Sequence, residues 1–365
     1  MLERIFCGED AMFEKPMSFD CWYSVINSTN STAVRKATAH ECLFSKVAGI
    51  ILLLVASISL IAIICSLKSA KTHFRISLQD QKLTTGMFIS SLFVILISTP
   101  PVLTQCFLCH RLCSQFICRL EGFNSFFNGC VTMYMLVALS LVRYATTANS
   151  PFSIHFQRQI KSRHFLLVFI CTFMAGVWAV PPIFGRLSAY VPEGLGFHCG
   201  LDWFDRSLSS RLYFFLLFVC VYFIPLIIII SINISIQRTI YRLAHLYPVL
   251  SLGAYDQNSE DMLRRHISTD LCDQTLRRLQ HLYEDRRFVI ATGVSVVIYL
   301  IAWTPYGLMA LSQIFGRSFS LGEPWIVTAC ALIAKLSMIL NPVIYTILLK
   351  TRETPEIIRN EGHLY

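Results

Sequence analysis

Seven runs of apolar residues, each about as long as a bilayer is thick, alternate along this chain with shorter polar segments. A hydrocarbon core of about 30 Å takes roughly 20 helical residues to cross. Val47 to Leu67, Leu83 to Leu103, Cys118 to Leu141, Phe165 to Gly185, Leu212 to Ile236 and Phe288 to about Phe315 meet that requirement, as does a last run from about Trp325 to Leu349. In lipid only a helix or a closed barrel satisfies its own backbone polar groups. The pattern therefore predicts an all-α membrane protein, a bundle of seven transmembrane helices. Pro100 and Pro101 predict a kink near the outer end of the second helix, and Pro225 and Pro342 interrupt the fifth and seventh.

The polar segments orient the bundle. Lys68, Lys71, Arg75 and Lys82 follow the first run, and Arg143, Arg158, Lys161 and Arg163 follow the third, whereas the turn before the third offers only Arg111 and Arg119. Basic residues concentrate in cytoplasmic loops. Two adjacent sequons, Asn27-Ser28-Thr29 and Asn30-Ser31-Thr32, agree in placing the amino terminus outside, where both asparagines are candidate glycan acceptors. Residues 1–46 then form an extracellular segment, 47–349 the membrane domain with a cytoplasmic third loop at 238–287, and 350–365 a cytoplasmic tail. The expected location is the plasma membrane. The first twenty residues lack the continuous apolar core of a signal peptide, so insertion is expected to rely on the first helix.

Composition sharpens this picture. The chain is 55% hydrophobic and 15% charged, and its formal charge of +9 is confined to short segments between apolar runs, which points away from nucleic acid and toward lipid as the surrounding partner. The 14 cysteines lie mostly in or beside membrane helices, as small apolar residues do. Cys7, Cys21 and Cys42 are free to pair outside the cell. Cys106, Cys109, His110 and Cys113 mimic zinc-ligand spacing, but on an oxidising outer turn disulfides or thiols are expected instead of a metal site. No phosphate-binding loop, nucleophile triad or catalytic carboxylate pair suggests an enzyme.

One residue breaks the apolar pattern. Lys335 stands inside the run Ala331 to Leu349, where a charged side chain costs roughly 2.5 to 3.5 kcal/mol, so it marks a functional site. A structural pair or a snorkelling side chain is the plainer role, but Lys335 is too deep to reach an interface easily. An amine in an apolar bundle is driven toward its neutral, nucleophilic form, which condenses with an aldehyde; the cationic product needs a nearby anion. Glu121, at the outer end of the third helix, and Glu193, in a loop able to fold over the bundle, are the available carboxylates, although either position also suits a solvated acid.

Three segments resemble the rhodopsin-like G protein-coupled receptors: Ser140-Leu141-Val142-Arg143-Tyr144, Ala302-Trp303-Thr304-Pro305-Tyr306 and Asn341-Pro342-Val343-Ile344-Tyr345. Lys335 lies six residues before Asn341, the spacing at which opsins carry the lysine of the retinal Schiff base. Cys118-Arg119-Leu120-Glu121-Gly122-Phe123 and Tyr190-Val191-Pro192-Glu193-Gly194 through Cys199-Gly200-Leu201-Asp202 resemble the corresponding opsin segments. Among opsins, Cys109-His110-Arg111 and Leu201-Asp202-Trp203 look most like neuropsin-type non-visual pigments. The resemblance implies retinal, 11-cis or all-trans, on Lys335, with Glu121 as first-choice counterion and Glu193 as the alternative. It also implies Trp303, Tyr306, Gly129 and Tyr222 around the chromophore and a Cys118–Cys199 disulfide. Arg143, Tyr144, Asn341, Pro342 and Tyr345 would serve activation of a heterotrimeric G protein.

Departures from the family pattern concentrate on signalling. Val142 replaces the acid that usually precedes the Arg-Tyr pair, with Asp285 a possible substitute partner for Arg143; the first span has no Asn and the second no Asp. Thr172 stands where a tryptophan is usual, with Trp178 further along, and Pro355 interrupts the usual eighth helix in a tail without a cysteine to acylate. The sequence thus favours a light-sensing receptor. A retinal photoisomerase resembling retinochrome, or a non-coupling pigment, is the alternative, and a ligand-activated receptor the third reading.

Overall fold

The computed structural model describes residues 23–26, 32–35, 38–69, 78–109, 114–147, 165–203, 205, 207–254, 290–312, 314 and 324–349. A short antiparallel pair, β1 (Tyr23–Ile26) and β2 (Thr32–Arg35), precedes seven long apolar helices. These are α1 (Ala39–Lys68), α2 (Lys82–Leu108), α3 (Gln115–Ala145), α4 (Leu166–Phe184), α5 (Leu208–Thr239), α6 (Ile290–Ser312) and α7 (Pro324–Leu348). Between α4 and α5 the chain forms a hairpin of β3 (Tyr190–Glu193) and β4 (His198–Leu201), with Glu193 opposite His198 and Pro192 opposite Cys199. All seven expected spans are present. Asn27, Asn30, Arg158, Asp285, Cys7, Cys21 and the tail lie outside the described residues.

Two boundaries differ from the sequence reading. The helix containing α1 begins at Ala39, inside the segment assigned to the exterior, because Thr38 and Glu41 form a capping box: the Thr38 amide donates to Glu41 Oε2 at 2.7 Å and the Glu41 amide to Thr38 Oγ1 at 3.3 Å. At the other side, α5 continues helically to Ala254, so helix occupies the start of the stretch expected as the third cytoplasmic loop.

The prolines are absorbed within the helices. Ahead of Pro100 and Pro101 the second helix widens into a π turn at Val94–Ser98, and ahead of Pro225 the fifth does the same at Phe218–Phe223. One extra residue per turn moves backbone carbonyls away from the pyrrolidine rings. In α7, Pro342 has no amide hydrogen to give to the Met338 carbonyl. Ser91 Oγ of α2 donates to that carbonyl at 2.8 Å, and Ser59 Oγ of α1 donates to the neighbouring Ile339 carbonyl. Ser66 of α1 and Thr346 of α7 share a further hydrogen bond of 2.7 Å. Small hydroxyls thus join three helices.

In lipid, helices associate through close packing and such hydrogen bonds, since the solvent is as apolar as the side chains. α3 is the most enclosed helix, with Met133, Met135, Leu136 and Leu139 essentially without exposure. α1, α4 and α5 instead present Leu54, Ile61, Phe169, Phe173 and Ile227 outward, as lipid-facing sides do. On α4, Thr172 turns its hydroxyl back on the Val168 carbonyl at 2.8 Å, while Trp178 reaches α3 and donates to Tyr134 at 3.0 Å. Cys118 pairs with Cys199, fastening α3 to β4, and Cys42 pairs with Cys109, fastening the start of α1 to the end of α2. Cys106, one of the zinc-like set, is a buried free thiol.

Candidate functional site

Successive turns of four helices and the β3–β4 hairpin enclose a mainly apolar cavity of about 390 Å³. Gly122, Ser125, Phe126 and Gly129 reach it from one face of α3, and Ala331, Ala334, Lys335 and Met338 from one face of α7. Both sets follow the three-and-four spacing that keeps residues on one side of a helix. Tyr299, Trp303 and Tyr306 supply the wall from α6, and Tyr222 supplies part of it from within the π turn of α5.

Lys335 is 7% exposed and Glu121 2%, and the lysine Nζ forms an ion pair with Glu121 Oε1. The other carboxylate oxygen accepts the Cys199 amide at 2.6 Å, and Ser125 Oγ donates to Oε1 at 3.3 Å. The disulfide half-cystine therefore also fixes the acid. Charges removed from water are tolerated when paired and hydrogen-bonded, and both conditions hold here.

Glu193 is buried too, one step along the hairpin register from the Pro192–Cys199 pair. Its oxygens accept Tyr306 OH at 2.8 and 2.9 Å, the Trp203 indole N–H at 2.8 Å and a contact of 3.2 Å from His198 Nε2. Gly200 makes room for this carboxylate, since a Cβ there would stand 2.3 Å from Glu193 Oε1. The hairpin turn is fastened to α7 by the Leu195 amide, which donates to Thr328 Oγ1 at 2.8 Å. Tyr190 of β3 is sealed beneath, its hydroxyl donating to the Ala179 carbonyl at 2.8 Å, and burial pushes its phenol well above the ordinary range.

The aromatic residues form a connected stack. Trp303 lies nearly parallel to Tyr299 with ring centres 5.3 Å apart, meets Tyr306 edge-on at 6.1 Å, and donates its indole N–H to Ser337 of α7 at 3.1 Å. A Cβ at Gly129 would come within 3.1 Å of the Trp303 ring, so only glycine lets the indole approach α3 this closely. Tyr222 and Thr304 share a 2.6 Å hydrogen bond between α5 and α6.

Of the residues singled out in the sequence, Lys335, Glu193, Trp303, Tyr306, Gly129 and Tyr222 line the cavity, with Glu121 directly behind the lysine. Arg143, Tyr144, Asn341, Pro342 and Tyr345 are not in its wall. Arg143 and Asn341 are buried, and Tyr345 OH lies 3.0 Å from Thr292 Oγ1 across α6 and α7. His198 and the indole of Trp203, both in the wall, escaped the sequence reading as partners of Glu193. The available signal was the hairpin register, which only pairing of the two strands reveals.

A seven-helix membrane bundle with a buried lysine and carboxylate at an aromatic cavity defines the class. The chain belongs to the 7 transmembrane receptor (rhodopsin family), whose model matches residues 58–345. It is similar to melanopsin-A of Danio rerio, 31% identical over 230 residues covering 63% of this chain and 35% of that one. It is also similar to the melanopsin of Rattus norvegicus, 32% identical over 230 residues covering 63% and 44%. The chain thus spans less than half the length of these relatives. The crystal structure of squid rhodopsin superposes with a TM-score of 0.66 over 89% of this chain and 87% of that one at 19% identity, a likeness of fold. These relatives are melanopsins, so the finer likeness to neuropsin-type pigments rests on its two sequence segments alone.

Proposed function

We propose that this protein is a light-sensing receptor that holds retinal as a Schiff base on Lys335 and signals through a heterotrimeric G protein. The observation that carries this reading is the buried Lys335–Glu121 pair at a mainly apolar cavity flanked by Trp303 and Tyr306. Intramembrane charges are costly and belong as a rule to functional sites. The cavity volume lies within the roughly 300–1,000 Å³ of small-molecule sites, and its carbon-rich wall with a single amine suits a long apolar aldehyde. The melanopsin relatives support the same assignment.

Bound retinal would supply light absorption and photoisomerisation. The side chains do the rest. Lys335 would hold the group through its Nζ, and Glu121, paired with that nitrogen, would accept its proton and return it, so that a cation at Nζ keeps the Glu121 carboxylate opposite it. Trp303, backed by Gly129 and tied to Ser337, couples the shape of the cavity's contents to α6 and α7. Arg143, Tyr144, Asn341, Pro342 and Tyr345 serve the cytoplasmic response. The receptor sits in the plasma membrane with its amino terminus outside, carrying glycans on Asn27 and Asn30.

Reconstitution with 11-cis- and all-trans-retinal, with spectra before and after illumination, tests the reading and identifies the isomer. A light-sensitive band absent in Lys335→Ala is expected; no band with either isomer, or an unchanged band in the variant, sinks it. Light-dependent nucleotide exchange then identifies the receptor. Isomer exchange without nucleotide exchange would identify a photoisomerase, the reading that Val142 beside Arg143 favours.

A further inference from the structure

Hydroxyls interrupt the apolar wall of the cavity in two places. At the hairpin, Tyr306 OH is committed to the Glu193 carboxylate. The second place lies between α5 and α6, where Tyr222, Thr304 and Tyr299 line the cavity together with Cys130 of α3. Lys335 enters from α7, which packs on α1 and α2, whereas Tyr222 enters from α5, which packs on α3. Amine and hydroxyls thus reach the cavity from different sides.

The partners of this second group fix its hydrogens. Thr304 Oγ1 donates to the Leu300 carbonyl at 2.6 Å, so its one hydrogen is committed. The 2.6 Å bond it shares with Tyr222 is therefore donated by the phenol, and the Tyr222 oxygen keeps a lone pair for a further donor. Tyr299 is 5% exposed and stacks on Trp303, and its hydroxyl has no hydrogen-bond partner among the described residues. It stands within electrostatic reach of Tyr222 and of Cys130, whose buried thiol is free. One unused donor and one unused acceptor on the same stretch of wall are the complement of an alcohol, which both accepts and donates.

We infer that the aldehyde held on Lys335 carries a hydroxyl on the end remote from its carbonyl, as a ring-hydroxylated retinal, and that this hydroxyl accepts from Tyr299 and donates to Tyr222. The inference rests on the pigment reading above and narrows its ligand. Unsubstituted retinal leaves the Tyr299 hydroxyl buried and unpaired, which is unfavourable. A site built to hydrogen-bond a ligand hydroxyl discriminates against the analogue that lacks it for that reason.

Competition tests the inference through what is bound, independently of any response to light. The whole chain is incubated in darkness with equimolar retinal and 3-hydroxyretinal, or retinal and 4-hydroxyretinal, in matched 11-cis and all-trans forms. The bound aldehydes are then released, extracted and separated. One of the hydroxylated forms is expected to be retained over retinal by about tenfold, the effect of one or two added hydrogen bonds. In Tyr299→Phe and in Tyr222→Phe, which keep the rings, the ratio falls toward one. A ratio near or below one for both hydroxylated forms in the unaltered chain overturns the inference alone and assigns the hydroxyls to water. A preference that both variants leave unchanged does the same. Failure to bind any of the aldehydes overturns the pigment reading and this inference with it.

Discussion

The backbone amide of Cys199 donates to Glu121 Oε2 at 2.6 Å, so the residue that carries the disulfide to α3 also aims the acid at Lys335. Covalent tether and electrostatic partner are one unit. Cys118→Ser is expected to cost about 2–5 kcal/mol, the usual loss for a native disulfide, and to loosen the amide that holds Glu121. Thermal unfolding of the apoprotein checks the stability, and a broadened or displaced pigment band checks the aim. An unchanged band together with a lowered midpoint would separate the two roles.

Removing the lysine exposes the cost of the pair. In Lys335→Ala, Glu121 is left as a buried carboxylate with the Cys199 amide and Ser125 as donors, and a loss of about 3–5 kcal/mol is expected. Lys335→Ala/Glu121→Gln should recover most of that loss, because the uncompensated charge is gone. Denaturation of both apoproteins measures the difference. Equal midpoints for the single and double variants would show that the ion pair is not what the lysine contributes.

The glycine behind Trp303 sets the cavity's width. Gly129→Ala places a methyl group 3.1 Å from the indole ring, and overpacking of this kind costs roughly 1–3 kcal/mol. Pigment formation should slow and the band should shift as Trp303 is pushed toward the cavity. Regeneration kinetics and spectra report both. If neither changes, the indole has room to retreat.

Ser91 is expected to matter beyond its size. Ser91→Ala leaves the Met338 carbonyl, already without an amide partner because of Pro342, short of its donor, at a cost of about 1–3 kcal/mol. Ser59→Ala acts on the next carbonyl, so the double variant should depart from the sum of the two. A double-mutant cycle on unfolding midpoints measures the coupling, and strict additivity would argue that the two hydroxyls act independently.

The seven helices were legible in the sequence because bilayer thickness dictates run length, and Lys335 because a charge in such a run is conspicuous. Trp303, Tyr306, Gly129 and Tyr222 followed from likeness to a family and do line the cavity. What hid was set by geometry that no local pattern records. Thr38-x-x-Glu41 is a helix-start signal, but it lies well before the apolar run it initiates. The π turns at Val94 and Phe218 have no residue signature apart from the prolines they accommodate. Serines 59 and 91 carry no signal of their own until the carbonyls near Pro342 show what they bind. His198 came into view only when β3 and β4 paired.

Among the described residues, both disulfides and the Leu195–Thr328 bond lie at the hairpin end of the bundle, whereas the arginine-tyrosine pair lies at the far end of α3. The molecule is stiffened asymmetrically, like tongs riveted near one tip. A push delivered between the arms, at the cavity, is expected to spread them where no rivet holds, and amide exchange measured in darkness and light should quicken at the arginine end while the hairpin end keeps its protection.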